Sequence, residues 1–108
     1  MALFNRAYAV LVSNTRTNRT RLDSAKSAPC VDCGHAFPSC AMDMDHVTAA
    51  KRGNISTLLH LPPSEFEAEL SRCEPVCANC HRVRTQARRV EAHLAAADDA
   101  DLLESLRP

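Results

Sequence analysis

Three observations point to a small α+β domain: two CxxC motifs set far apart, a short segment in which Met and Asp alternate strictly, and flanking segments whose apolar residues recur at helical spacing. The motifs are Cys30-Val31-Asp32-Cys33 and Cys77-Ala78-Asn79-Cys80, with 43 residues (34–76) between them. A chain of 108 residues with 4% aromatics and no Trp builds only a small core, so a staple adds much of its stability. Thiolates from two such turns complete one tetrahedral zinc site. Cys30, Cys33, Cys77 and Cys80 are therefore the expected ligands of a structural Zn²⁺. Cys40 and Cys73 are expected to be small buried apolar residues; the competing assignment puts Cys73 or Cys40 in place of one ligand, Cys73 through a CxxxC pair with Cys77. Disulfides in a secreted protein are the other use of six cysteines, but the apolar run Ala7 to Val12 is interrupted by Tyr8 and lacks a small-residue cleavage site. A cytoplasmic protein without a membrane span is the expectation.

The elements follow in chain order. Residues 1–27 read as a basic helical arm, because Leu3, Phe4, Ala7, Tyr8, Val10 and Leu11 recur at helical spacing; the polar stretch Asn14 to Thr20 is a poor helix former and is expected to be loose. Residues 40–48 read as a strand, since Met42 and Met44 alternate with Asp43 and Asp45. That alternation puts Asp45 and His46 on opposite faces. Gly53-Asn54 marks a turn. A helix is expected from Ser64 to about Arg72, with Ser64 and Glu67 as a capping box and Phe66 and Leu70 as an i, i+4 apolar pair. The last helix begins near Asn79 and runs to about Ala97. Its stripe of Val83, Ala87, Val90, Leu94 and Ala97 is expected to face the core, with His81, Arg84 and Arg88 on the opposite side. The domain proper is placed at 28–97 and an acidic tail at 98–108.

The formal net charge of zero is a sum of unlike segments. Residues 1–29 carry Arg6, Arg16, Arg19, Arg21 and Lys26 against Asp23, a balance of +4. Arg82, Arg84, Arg88 and Arg89 follow with no acid among them, and Asp98, Asp99, Asp101 and Glu104 face only Arg107 in the tail. Such basic segments suit phosphate oxygens, which arginine grips bidentately. With so few aromatics, stacking on bases is not an evident mode of binding.

Asp45, His46 and His81 are the residues that hydrolysis of a phosphodiester would use. Imidazole, with an ordinary pKa near 6.5, can take a proton from water at His46. Asp45 offers oxygen and His81 nitrogen to a divalent cation such as Mg²⁺, Mn²⁺ or Ni²⁺. Asp43, on the same strand face as Asp45, is either a further ligand or a solvated carboxylate.

The string MDMDHV, then KRGNIS, then RCEPVCANCHRVRT, with the upstream CVDC, resembles the HNH endonucleases, nearest the small zinc-knuckle members of bacteriophages and actinobacterial genomes. The resemblance covers about residues 27–86. It implies a ββα-metal, treble-clef-like fold clasped by zinc, with flanking helices, and single-metal cleavage of DNA to 5′-phosphate and 3′-hydroxyl ends. By position, His46 resembles the general base, and Asp45 and His81 the cation ligands. The family's middle Asn falls at Arg72 here, so Asn79 or Asn54 is left to orient the base, Asn79 being nearer the last His in sequence. DNA is the implied partner, gripped by Arg82, Arg84, Arg88 and Arg89. The rival expectations are a non-catalytic zinc-stabilised nucleic-acid-binding module and an accessory subunit of a phage DNA-packaging machine.

Overall fold

The computed structural model describes residues 2–48, 51–96, 104 and 106. Among them are three α-helices, α1 (Ala2–Lys26), α2 (Pro63–Leu70) and α3 (Ala78–Ala96), and two strands, β1 (Met42–His46) and β2 (Cys73–Cys77). Short 3-10 turns at Ser39–Ala41 and Ile55–Thr57 fill the connections. The acidic tail lies outside the described residues apart from Glu104 and Leu106.

The polar stretch of α1 is helical throughout, against the expectation of a loose segment. Tertiary contacts override its weak propensity. Asn18 is fully buried and its Nδ2 donates to the carbonyls of both Leu59 and Leu61, each at 2.8 Å. Asn14 Nδ2 donates to the His60 carbonyl at 3.2 Å. Thr15 and Thr20 hydroxyls bond back to the carbonyls of Leu11 and Arg16. Asn18→Ala strands two carbonyls and relieves only the unpaired Oδ1. A loss of about 2 kcal/mol is expected, seen as a melting midpoint lower by roughly 10 °C.

The capping box does not form. Pro62 is the N-cap of α2 and Pro63 its first residue, a position where proline's fixed φ suits the helix and no N–H is missed. Ser64 therefore lies inside the helix, and Glu67 pairs instead with Arg21 of α1 at 2.6 Å. Phe66, fully buried, and half-buried Leu70 face the larger core cluster with Leu22, Ile55, Leu58, Leu59, Leu61 and Met44.

The strands pair antiparallel, with Met42 opposite Cys77, Asp45 opposite Glu74 and His46 opposite Cys73. Gly53-Asn54 does not join them; the connection runs over residues 47–72 and carries α2. The strand β2 forms although Pro75 lies in the middle of Cys-Glu-Pro-Val-Cys. In a two-stranded sheet both strands are edges, so a residue without an N–H is tolerated. The Pro75 carbonyl still works, accepting Val31 N–H at 3.0 Å and fixing the first CxxC turn to β2.

The helix α3 is oriented opposite to expectation. No residue of α3 is buried; Val83 is 70% exposed, and Val90 and Leu94 are exposed too. The side that meets the sheet carries His81, Arg84 and Arg88, because carboxylates on β1 and β2 attract it there. Apolar burial thus contributes little to holding α3. Its anchors are Cys80, packed against the second core cluster of Cys30, Met42, Val76 and Cys77, and a set of ion pairs.

Candidate functional site

The sulfurs of Cys30, Cys33, Cys77 and Cys80 lie within 4.8 Å of one another, close enough to hold one metal ion such as zinc. Among the described residues no other group of three or more ligating side chains converges this way. All six thiols are free; Cys40 is exposed and Cys73 half-buried, so the expectation that Cys40 is buried fails and neither belongs to the cluster. Cys73 instead turns its thiol toward the Glu69 carbonyl at 3.6 Å, and burial pushes it up to about 11.

Both CxxC turns have the local geometry of a clasp. In the first, Gly34 adopts φ 76°, a left-handed conformation that favours glycine, and donates its N–H to the Cys30 carbonyl at 2.8 Å. In the second, Cys80 N–H donates to Cys77 Sγ at 3.4 Å. Burial alone would raise the Cys30 thiol, but N–H groups of Cys33, Cys77 and Asp32 outweigh it and bring it down to about 6. The neighbouring Cys77 sulfur, with burial, drives Cys80 up to about 12. A cation among these sulfurs resolves that conflict by favouring every thiolate at once.

On the α3 side of the sheet, His81 reaches two carboxylates. Its Nδ1 lies 2.9 Å from Asp43 Oδ2 and its Nε2 3.4 Å from Asp45 Oδ1. Asp43 therefore sits behind the ring, fixing it so that Nε2 points at Asp45. Asp45 is 5% exposed and pairs with His81, Arg84 and Arg88. Arg88 grips both its oxygens, at 2.9 and 2.6 Å, and Arg84 Nη1 donates to Oδ2 at 3.0 Å. The Arg88 guanidinium first, then Arg84, hold the Asp45 carboxyl down to about 2 against the opposing effect of burial. Arg84 also forks onto Asp32 with two bonds of 2.7 Å and reaches Glu74 at 2.8 Å. The register that sets Asp45 beside Glu74 would be repulsive without that cation. Because Asp32 lies inside the first CxxC turn, one guanidinium ties the cysteine cluster to the strand bearing Asp45.

His46 points to the other face, toward α2, as alternation requires. Its Nε2 lies 3.1 Å from Glu69 Oε1, and the two side chains are 7% and 6% exposed. Glu69 Oε1 also accepts Arg52 N–H at 3.1 Å, and Arg72 Nη1 approaches Oε2 at 3.6 Å. The Arg52 N–H first, then the His46 ring and the Arg72 charge, keep the Glu69 carboxyl below the usual range despite burial. Asn79 is exposed in the first turn of α3 and Asn54 Oδ1 accepts Lys51 Nζ, so neither holds the His46 ring; Glu69 does.

The faces meet at the end of β1 in a cavity of about 560 Å³. His46, Asp43, Asp45, His81 and Arg88 line it, together with Lys26 and Lys51. Arg82 and Arg89 are exposed on α3. Sequence reasoning missed Asp32, Glu69 and Glu74. Glu69 had a signal: it follows Phe66 by three and precedes Leu70 on the apolar face of α2, where a carboxylate needs a buried partner.

No family model, curated protein or solved structure matches this chain. Among the described residues, no helix is long and apolar enough to cross a membrane.

Proposed function

We propose that this chain is a zinc-clasped, metal-dependent endonuclease of the HNH type, acting on DNA phosphodiester bonds. The observation that carries the reading is the meeting of Asp45, His81 and His46 at one cavity, from two strand faces and a helix. The donor set suits a divalent cation. Two adjacent ligands of an octahedral Mg²⁺ at roughly 2.1 Å stand about 3.0 Å apart, and His81 Nε2 and Asp45 Oδ1 are 3.4 Å apart. Asp45 and His81 would hold such a cation, few protein ligands being what Mg²⁺ prefers. Bound there, the cation supplies charge neutralisation at the scissile phosphate.

The chain's own groups do the rest. His46 takes a proton from a water molecule as the water oxygen bonds to phosphorus. The P–O3′ bond breaks, its electron pair leaves on the 3′ oxygen, and that oxygen gains a proton from solvent. Arg88, half-exposed at the cavity rim, exchanges Asp45 for a phosphate oxygen, while Lys26 and Lys51 meet the neighbouring backbone. Arg82 and Arg89 extend the grip along α3. Arg84, held by three carboxylates, serves the scaffold.

One observation favours a binding module instead. Arg84 and Arg88 already neutralise Asp45, the carboxylate a cation would need. Supercoiled plasmid with Mg²⁺, Mn²⁺ or Ni²⁺ separates the readings. The parent protein is expected to nick it, and His46→Ala to lose at least about 100-fold in rate with metal content unchanged. Binding without nicking under every metal supports the module; nicking by clean His46→Ala protein removes His46 as the base.

A further inference from the structure

We propose that Glu69 is the positioning residue of this site: it accepts the Nε2–H of His46 and so turns the lone pair of Nδ1 toward the cavity. The inference rests on the nuclease reading for its consequence in rate and on geometry alone for the state of the ring.

Glu69 Oε1 accepts a backbone N–H, that of Arg52, at 3.1 Å, a bond that favours the ionised, acceptor-only carboxylate. The Arg72 guanidinium, 3.6 Å from Oε2, favours the same charged form. The 3.1 Å contact with His46 Nε2 is then a bond donated by the ring. A neutral imidazole with hydrogen on Nε2 has its lone pair on Nδ1. Nδ1 has no hydrogen-bond partner among the described residues, and His46 lines the cavity. With both side chains more than nine-tenths buried, the ring has little freedom to turn over.

This also accounts for Arg72. It stands where the resembling family carries its orienting Asn, and an arginine cannot accept a bond from the ring. Here it lies against Glu69, and Glu69 takes the ring.

The test has two arms. In the first, nitrogen chemical shifts of the neutral His46 imidazole, read by NMR on the zinc-loaded full chain, report which nitrogen bears hydrogen. The expected state is Nε2–H in the parent and in Glu69→Gln, whose amide oxygen still accepts, and a mixture in Glu69→Ala. An Nδ1–H ring in the parent, or an unchanged ring in Glu69→Ala, overturns the proposal. In the second arm, plasmid nicking by Glu69→Gln should stay within about 10-fold of the parent, and Glu69→Ala should fall by about 100-fold with KM little changed. Nicking by Glu69→Ala at the parental rate overturns the positioning role and leaves the nuclease reading standing. A parent that never nicks ends the nuclease reading, and the ring state alone then decides whether Glu69 sets His46. Glu69→Gln and the unmutated parent keep the test decisive if Glu69→Ala does not fold.

Discussion

Cys77→Ser, or chelation of a metal ion held by the four cysteines, is expected to abolish the cooperative unfolding transition. Cys77 ends β2, abuts α3, is 5% exposed and belongs to the smaller core cluster. Half of that cluster is cysteine: Cys30 and Cys77 lie among Met42 and Val76, with Cys80 against them. Binding of a structural zinc is worth roughly 10–16 kcal/mol, against a total stability of about 5–15 kcal/mol for a typical domain. Removing one buried thiolate therefore exceeds what the rest of the chain can offset. The loss should spread, because α3 buries no side chain of its own and leans on Cys80 and its ion pairs. Metal analysis together with far-ultraviolet circular dichroism on heating checks this. A Cys77→Ser protein that melts cooperatively without bound metal contradicts it.

The cysteine cluster was legible because its signal is chemical and local. Two CxxC turns name their ligands whatever lies between them, and the four sulfurs do converge. The strand at Met42–His46 was legible from alternation and α3 from apolar spacing, each to within a residue or two of its ends, whereas of α1 only the part around Leu3–Leu11 was. The facing of α3 was not. Val83, Ala87, Val90 and Leu94 form a core-like stripe, yet the sheet beneath α3 presents Asp45 and Glu74, and attraction to Arg84 and Arg88 prevails over burial of a few aliphatic groups. That balance depends on the strand register, which pairs Asp45 with Glu74 and is invisible in a sequence where β2 hides behind Pro75. Glu69 escaped for a related reason: its partner His46 is 23 residues away, and only the chain path through α2 brings them together.

Asp45→Asn is expected to cost about 2 kcal/mol and to remove nicking, two effects with different pH signatures. The stability term follows from titration: the folded carboxyl sits at about 2 against an ordinary value of 3.8, a difference worth roughly 2 kcal/mol when the group is ionised only at a preference of the fold. The folded pKa is the lower one, so this contribution is fully present above pH ~4 and is lost as pH falls through 2. Parent and variant should differ by a constant margin from pH 8 to about 5, a range in which thermal melts of the metal-loaded proteins can be compared. The cost stays below the roughly 3–5 kcal/mol of a broken buried ion pair, because Arg84 keeps Asp32 and Glu74 and Arg88, 49% exposed, turns to water. The nicking term has another origin. An amide keeps the shape of Asp45 but gives a cation one neutral oxygen in place of a carboxylate, so raising Mg²⁺ should not restore the variant at any pH at which it stays folded. If nicking returns with Mg²⁺ while the stability margin persists, Asp45 is an ion-pair partner for the arginines alone. A margin that grows toward acid would instead show that Asp45 is not held ionised by Arg84 and Arg88.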